Sequence, residues 1–566
     1  MSSSSSHPDL ILTNARITSM SSSPLPSNSD AIAVTHGRVS SIGPTSAIAT
    51  LAGPSTKRID ARGRSVVPGL VDAHNHGVKA CLARLYACSF TFSASPQDIE
   101  AALEGFFERN SGVECVMGGR YGSEFFKTYA GQLLPTPREW LDARSRGRAV
   151  YLREESGHNG WANSRALELV GITRESVDPK GGRIGRTDAG ELTGVLIEDA
   201  DVQARLRWPD WTAAQYEDAV REYVKVANGF GIVGSTDADA NEGILKALSE
   251  VDREGGLSLH VVAAQTTPYG HREEPLDYGL HERWRELYTS DHVDASFVKI
   301  YLDGVARDDS RTAFLLEQYL PDPRFPESHR SHAHVPAETL ARDYVELDRR
   351  GFTVKTHCCG DGSVRATLDA IQAAREANPA RSEIELLRHE VAHCMLVSAS
   401  DIPRFRRLNA VAELSPYLWS GESCVSHRRA CLGSERVERW YPVKELLDAG
   451  TELAAGSDWP AAVASVNPWP GLASLVTRTD TSDPSSAPIG LDQAVSIEDA
   501  LRIFTVQGAR AIKRGKDTGS IEVGKSADFV VLDRDVMEVD PRMVGATKVD
   551  VTVFEGRIVY EREGAN

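Results

Sequence analysis

The chain has 566 residues, 41% of them apolar and 25% charged, and its 63 basic against 80 acidic side chains give a formal net charge of −17. That length exceeds one ordinary domain, so a large core with accessory modules is expected. The acidic balance excludes the basic stripe a nucleic-acid binder needs, no run of 18 apolar residues could span a membrane, and MSSSSSHPDL lacks the basic start and apolar stretch of a secretory signal.

A cytoplasmic protein acting on a small molecule is therefore expected. The cysteines at 81, 88, 115, 358, 359, 394, 424 and 431 form no CxxC pair, and eight in so long a chain read as buried thiols rather than a disulfide framework.

Ser2–Ser6 reads as a disordered tail and Ser21–Ser29 as a loop. The segments DLILTNARITSM, AIAVTHGRVSSIG and STKRIDARGRSVVPG then alternate apolar and polar residues between turn signals, as short strands do. The far end repeats this in SADFVVLDRD and KVDVTVFEGRIVYER. Residues 1–68 and 518–566 are thus predicted to build one small composite β-sandwich, with His36-Gly37 and Glu555-Gly556 at hairpin turns.

Between them, 69–517 parses into eight short apolar runs, each followed by a helical pattern. The first ends in SVVPGLVDAHNHG. Next come GFGIVGSTDAD, LSLHVVAAQTT, SFVKIYLDG, GFTVKTHCCGD, IELLRHEVAHC, LNAVAELSPYL and TELAAGSDWP. Strands alternating with helices imply a parallel sheet, and eight of them a closed (β/α)₈ TIM barrel, an α/β fold. The span is well above the roughly 250 residues usual for that fold. The excess falls after the first strand, where about 78–215 reads as an inserted subdomain with helical stretches (PQDIEAALEGFFERN, NSRALELVGI) and a Gly-rich piece, DPKGGRIGRTDAGELTGVLIEDA.

Polar residues gather at the C-terminal ends of these strands, where a barrel brings distant residues into one ring. His74 and His76 end strand one, Lys299, Tyr301 and Asp303 lie along strand four, His357 on five, His393 on six and Asp458 on eight. Alternation turns His74 and His76 the same way, and Lys299, Tyr301 and Asp303 likewise. An HxH pair can hold one cation, and His357 with His393 a second. Imidazole and carboxylate together suit zinc first, and also manganese, iron or nickel.

A lysine on an apolar strand tends toward the neutral amine, which can take up carbon dioxide as a bridging carbamate. Pairing of Lys299 with a carboxylate such as Asp303 is the equal alternative. Asp458, in GSDWP, can ligate a metal and take a proton from the water the metal activates; a turn or helix-cap aspartate is the plainer reading of an isolated GSD.

The ordered set HxH, Lys, His, His, Asp resembles the amidohydrolase superfamily, and its details look like amidohydrolase family 3, within it the YtcJ-like group that includes N-substituted formamide deformylases. VVPGLVDAHNH, FVKIYLDG with the following RTA, THCCGDGSV, RHEVAHC with DIPRF, and GSDWP with NPWPGLASLVTR carry the likeness. IEDALRIFTVQGARAI, GSIEVGKSADFVVLD and, in the insertion, SGHNGWANSRAL extend it to nearly the whole chain.

The resemblance implies metal ligation by His74, His76, His357, His393 and Asp458, with Asp458 also the general base, a carboxylated Lys299 as bridge, His158 near the pocket, one or two ions, and a homodimer. Trp161, Tyr301, Asp303 and Trp419 are further candidates for substrate contact. Three departures stand out: VARDDSRTA with Arg307, Asp308 and Asp309, Ala392 before the sixth-strand histidine, and ELSP on strand seven.

The reaction implied is hydrolysis of an amide or related C–N bond. A one-metal cyclic-amide hydrolase or deaminase, and an ester or carbamate hydrolase, are alternatives on the same scaffold. A catalytically silent scaffold should have lost ligands, and every one is present.

Overall fold

The eight apolar runs become eight consecutive parallel strands in the computed structural model of the chain, which describes residues 7–155, 157–308, 310–325, 329–379, 387–419, 422–461 and 463–564, the side chains of 422–424 excepted. The predicted Ser2–Ser6 tail, Asp309 and residues 384–386 of the sixth run lie outside the described residues. The barrel strands are β1 Leu70–Asn75, β2 Ile232–Ala240, β3 His260–Gln265, β4 Val293–Tyr301, β5 Thr353–Cys358, β6 Glu390–His393, β7 Val411–Leu414 and β8 Glu452–Ala455. Each pairs with the next in one eight-stranded sheet.

The ring is completed just past β8, where the Asp458 amide donates to the His74 carbonyl and the His76 amide to the Trp459 carbonyl, both at 2.7 Å. Gly456 permits that approach, since a Cβ there would lie 2.3 Å from the His74 nitrogen.

The strands are buried nearly throughout, as parallel strands covered on both faces must be. The covering helices are amphipathic. That over Glu242–Arg253 starts at Asn241, whose side chain accepts from the Ile244 amide, and buries Ile244, Leu245, Leu248 and Val251. Among the described residues no helix is long and apolar enough to cross a membrane, and the described cysteines whose side chains are placed are all free thiols.

Both chain ends contribute to two further sheets. One holds Arg38–Gly43, Ala31–Thr35, Leu10–Thr13 and Lys57–Asp60; the other holds Arg16–Ile17, Ser65–Pro68, Phe529–Leu532, Val549–Phe554 and Arg557–Glu561. Leu10, Leu12, Ile32 and Val34 of the first share a core with Val66, Phe529, Val531 and Val553 of the second. The turns at His36-Gly37 (φ 52° and 73°) and Glu555-Gly556 (φ 47° and 71°) take the positive φ at both central residues that a tight hairpin requires.

By internal packing the chain divides into two units, Met1–His76 with Arg221–Thr267 and Glu273–Asn566, and Gly77–Val220 with Pro268–Arg272. The second unit is less helical than its sequence reads. Its centre is a six-stranded sheet in the order Gly182–Arg186, Leu192–Glu198, Asn159–Ala162, Ala149–Glu154, Cys115–Tyr121, Cys88–Ser89, and the Gly-rich piece is a hairpin of the first two strands. The predicted helices are present at Pro96–Arg109 and Ser164–Leu169.

Candidate metal centre

At the C-terminal mouth of the barrel the strand ends bring His74, His76, His357, His393 and Asp458 together. His74 lies on β1 and His76 one residue past it, so both imidazoles face the interior. The metal-ligating atoms of His74, His76 and Asp458 all lie within 4.8 Å of one another. Asp458 Oδ1 is 3.3 Å from His76 Nε2 and 3.6 Å from His74 Nε2, and its Oδ2 is 4.0 Å from His393 Nδ1. The His393 ring lies 4.8 Å from that of His74 and 4.6 Å from that of His357, centroid to centroid. His393 (φ 72°) and Asp458 (φ 58°) both hold the left-handed backbone region, disfavoured for side chains other than glycine. Such strain gathers where the surroundings fix a functional geometry.

Carboxylates hold two of these rings from behind. Glu413, on β7, places Oε2 2.5 Å from His74 Nδ1, and Asp303 places Oδ1 3.0 Å from His357 Nδ1. Nitrogen fixed on the Nδ1 side leaves Nε2 to face the shared space, the orientation that metal-ligating histidines take. Burial, reinforced by the cations Lys299 and Lys355, pushes the His74 pKa well below its usual value; burial and His357 do the same to His393. Both rings are therefore held in the neutral form that binds a cation. Oriented, neutral imidazoles beside a carboxylate fit a divalent transition ion.

Lys299, on β4, is buried with Nζ 3.4 Å from His74 Nε2. Burial and the neighbouring Lys355 bring its pKa down to about 8. Lys355 stands beside it in register on β5 and behaves oppositely. Burial works against its charge too, but Glu390 (2.5 Å) and Glu413 (3.5 Å) outweigh it and keep the ammonium charged. Burial pushes the Glu413 carboxyl up to about 8 against the pull of Lys355 and Lys299. Asp72 joins the strand ends below the histidines by accepting from the Ser457 hydroxyl at 2.7 Å and the His74 amide at 3.1 Å.

Glu413, Lys355, Glu390 and Asp72 are absent from the sequence-based site. Their signal is positional, since Asp72 and Lys355 each precede a predicted ligand by two residues on one strand and so share its inward face. Glu413 stands in the ELSP stretch read as a departure.

The remaining candidates separate. Tyr301 ends β4, its ring 5.1 Å from Lys299 Nζ and 6.0 Å from the His357 ring. Asp303 stands as a positioning residue behind His357. It is wholly buried, and its carboxylate accepts from the Phe314, Cys359 and Gly360 amides and the Ser363 hydroxyl as well as facing His357. It makes no pair with Lys299 in the structure.

Trp419 is a buried core residue. Its indole nitrogen donates to Ser474 at 2.7 Å and the Arg478 guanidinium lies 4.3 Å over its ring. Trp161 is likewise a core residue of the second unit, enclosed by Phe125, Phe126 and Trp140. His158, in that same unit, has Nδ1 3.0 Å from Glu198 and 2.9 Å from the Tyr269 hydroxyl. Burial opposes its charge, but Glu198 outweighs burial and raises its pKa. Asp308, one of the departures, is engaged by Arg311 and Arg324.

Comparison with known proteins agrees with this geometry. The model of the amidohydrolase family matches residues 57–560. The N-substituted formamide deformylase of Arthrobacter pascens is 28% identical over 98% of this chain and 99% of its own. The putative amidohydrolase YtcJ of Bacillus subtilis is 26% identical over 90% of this chain and 91% of its own. Among solved structures, an uncharacterized metal-dependent hydrolase from Pyrococcus furiosus superposes with a TM-score of 0.71 at 23% identity, covering 94% of this chain and all of that one. The chain belongs to the amidohydrolase family and is a metal-dependent hydrolase.

Proposed function

We propose that the protein hydrolyses an amide or related C–N bond of a small molecule at the barrel mouth, with zinc as the metal and Asp458 as the group that moves the proton. The observation that carries this reading is the place of Asp458, whose two oxygens lie between the β1 histidines and His393. His74, His76, His357, His393 and Asp458 would hold the ion or ions. When bound there, a divalent cation polarises the scissile carbonyl and lowers the pKa of water.

The protein's own groups do the rest. Glu413 and Asp303 fix the ring orientations of His74 and His357. The Asp458 carboxylate accepts a proton from the attacking water and returns it to the departing nitrogen. Lys299 is proposed to carry a carbamate. Its neutral amine attacks carbon dioxide, an N–C bond forms as one C=O π bond opens onto oxygen, and the proton lost by the nitrogen passes to water. The lowered pKa of the amine supports this, as does the repulsion an ammonium 3.4 Å from His74 Nε2 would exert on a dication held by that nitrogen.

The free thiols support a reducing compartment. The test is metal analysis of the purified protein combined with a panel of N-formyl and N-acyl amines, esters and carbamates. Zinc in the protein and turnover of N-formyl or N-acyl amines are expected. Full activity in protein stripped of transition ions, or cleavage confined to esters, would overturn the proposal.

A further inference from the structure

A second group of ligating side chains lies at the opposite end of the barrel. His260 opens β3 and His292 immediately precedes β4, so both stand at the N-terminal rim. Glu555 is in the hairpin turn between Val549–Phe554 and Arg557–Glu561, and Asp528 immediately precedes Phe529–Leu532. One ligating atom from each of His260, His292 and Glu555 falls within 4.8 Å of the others. His292 Nε2 is 3.3 Å from Glu555 Oε1, His260 Nε2 is 3.4 Å from Asp528 Oδ2, and the two rings are 5.7 Å apart.

Two details distinguish this group from an ordinary ion pair. First, His292 is anchored from behind. Its Nδ1 is 2.6 Å from Asp252 Oδ1, while the other Asp252 oxygen accepts from the Ser290 hydroxyl and the His292 amide. Its Nε2 faces the Glu555 carboxylate, and the two carboxylates, Glu555 first and then Asp252, raise the pKa of the ring, so a proton and a cation compete for the place between Nε2 and Oε1. A carboxylate behind an imidazole is also the outer support of ligating histidines. Second, His260 is 4% exposed, yet its Nδ1 has no hydrogen-bond partner. One buried imidazole nitrogen of the group is thus used by no protein hydrogen bond. The Phe554 ring, 4.8 Å from His260 and 5.5 Å from His292, walls one side with apolar surface.

We infer that His260, His292 and Glu555, with Asp528 beside them, form a structural divalent-cation site of zinc type that staples the terminal-strand sandwich to the floor of the barrel. Two imidazoles with carboxylate oxygen are the donors zinc selects. The Glu555 and His292 side chains are 38% and 18% exposed, so a cation enters without unfolding. The site differs from the mouth in every ligand.

The experiment uses the full chain as the holoenzyme, equilibrated with excess zinc at pH 8, desalted and counted by plasma mass spectrometry. His292→Gln and Glu555→Gln are each expected to carry one zinc fewer per chain than wild type, with an unchanged far-ultraviolet circular dichroism spectrum, and to lose the zinc-dependent part of the thermal midpoint. Glu555 lies on an exposed turn, so Glu555→Gln keeps the test open if His292→Gln folds poorly. Equal zinc content and equal zinc-dependent stabilisation in wild type and Glu555→Gln would overturn the inference and leave a proton as what joins His292 to Glu555.

Discussion

The Nδ1 of His74 on the first barrel strand lies 2.5 Å from Oε2 of Glu413 on the seventh, two residues 339 positions apart in the chain. This contact lets the barrel wall decide which nitrogen of His74 faces the cation. With Nδ1–H donated to the carboxylate, Nε2 carries the lone pair and the ring gains basicity. Glu413→Gln keeps an acceptor there but removes the ionisable carboxyl. Affinity for zinc is expected to fall about 10- to 100-fold, measured by competition with a chromophoric chelator. Unchanged affinity would mean that Glu413 serves only to pair with Lys355.

Asp458 is assigned both to the cation and to the proton. Asp458→Asn retains an oxygen for the former task and loses the latter. Turnover is expected to drop by a factor of about 10² to 10⁴, the usual worth of a positioned general base, while metal content stays near that of wild type. If activity survives, another group moves the proton.

Lys299 separates two chemistries that the bare side chain leaves open. A carbamate would retain label from ¹³C-bicarbonate, giving a carbonyl resonance in the folded protein that disappears in Lys299→Met. Metal content of that variant is expected to fall, because a bridging anion is lost with the amine. A labelled spectrum without the resonance at full metal occupancy would assign Lys299 as a neutral amine.

What the sequence disclosed follows from period and place. The eight strands were legible because short apolar runs recur between helical patterns, and the gathering of His74, His76, His357, His393 and Asp458 because each stands near the end of one of those runs. Glu413, Lys355 and Glu390 were not. Their partners lie on neighbouring strands, and only closure of the ring shows that Lys355 is paired with Glu390 and Glu413 inside it. Trp161 and Trp419 are packed among buried neighbours, and spacing cannot tell a pocket wall from a packed core. The sheet of the second unit was hidden because glycines interrupt its strands, Gly118 and Gly119 in one, Gly185 and Gly194 in two others.

Asp303 shows how a residue assigned by proximity acquires a different task. Its two oxygens serve three backbone amides, one hydroxyl and His357. Asp303→Asn would turn an amide NH₂ toward donors, leaving buried N–H groups without acceptors. A loss of about 3 kcal/mol is expected, read by chemical denaturation, together with weaker metal retention through the misaligned His357 ring. A variant as stable as wild type would show that the loop after β4 rearranges to satisfy those amides.

His389, immediately before β6, should make the folded state sensitive to acid. Its Nδ1 accepts from the Val354 amide at 3.0 Å and its Nε2 donates to Asp348 at 3.1 Å. Both nitrogens are thus used in the neutral ring, and a second proton would set N–H against N–H. Burial, with Arg375 nearby, brings the pKa down to about 4 even though Asp348 pulls it upward. The unfolded chain takes up the proton near pH 6.5, the ordinary histidine value, and the folded chain only near pH 4. Stability from this residue is therefore complete above about pH 6.5 and drains away as the pH falls toward 4, by about 2.5 kcal/mol at pH 4.5. Glutamine at this position cannot titrate. The stability gap between wild type and His389→Gln, measured by urea unfolding, should accordingly be widest at pH 7 and shrink by that amount at pH 4.5. A gap that stays constant over that range would mean that His389 takes up its second proton in the fold at the same pH as in the unfolded chain, with the Val354 amide bonded elsewhere.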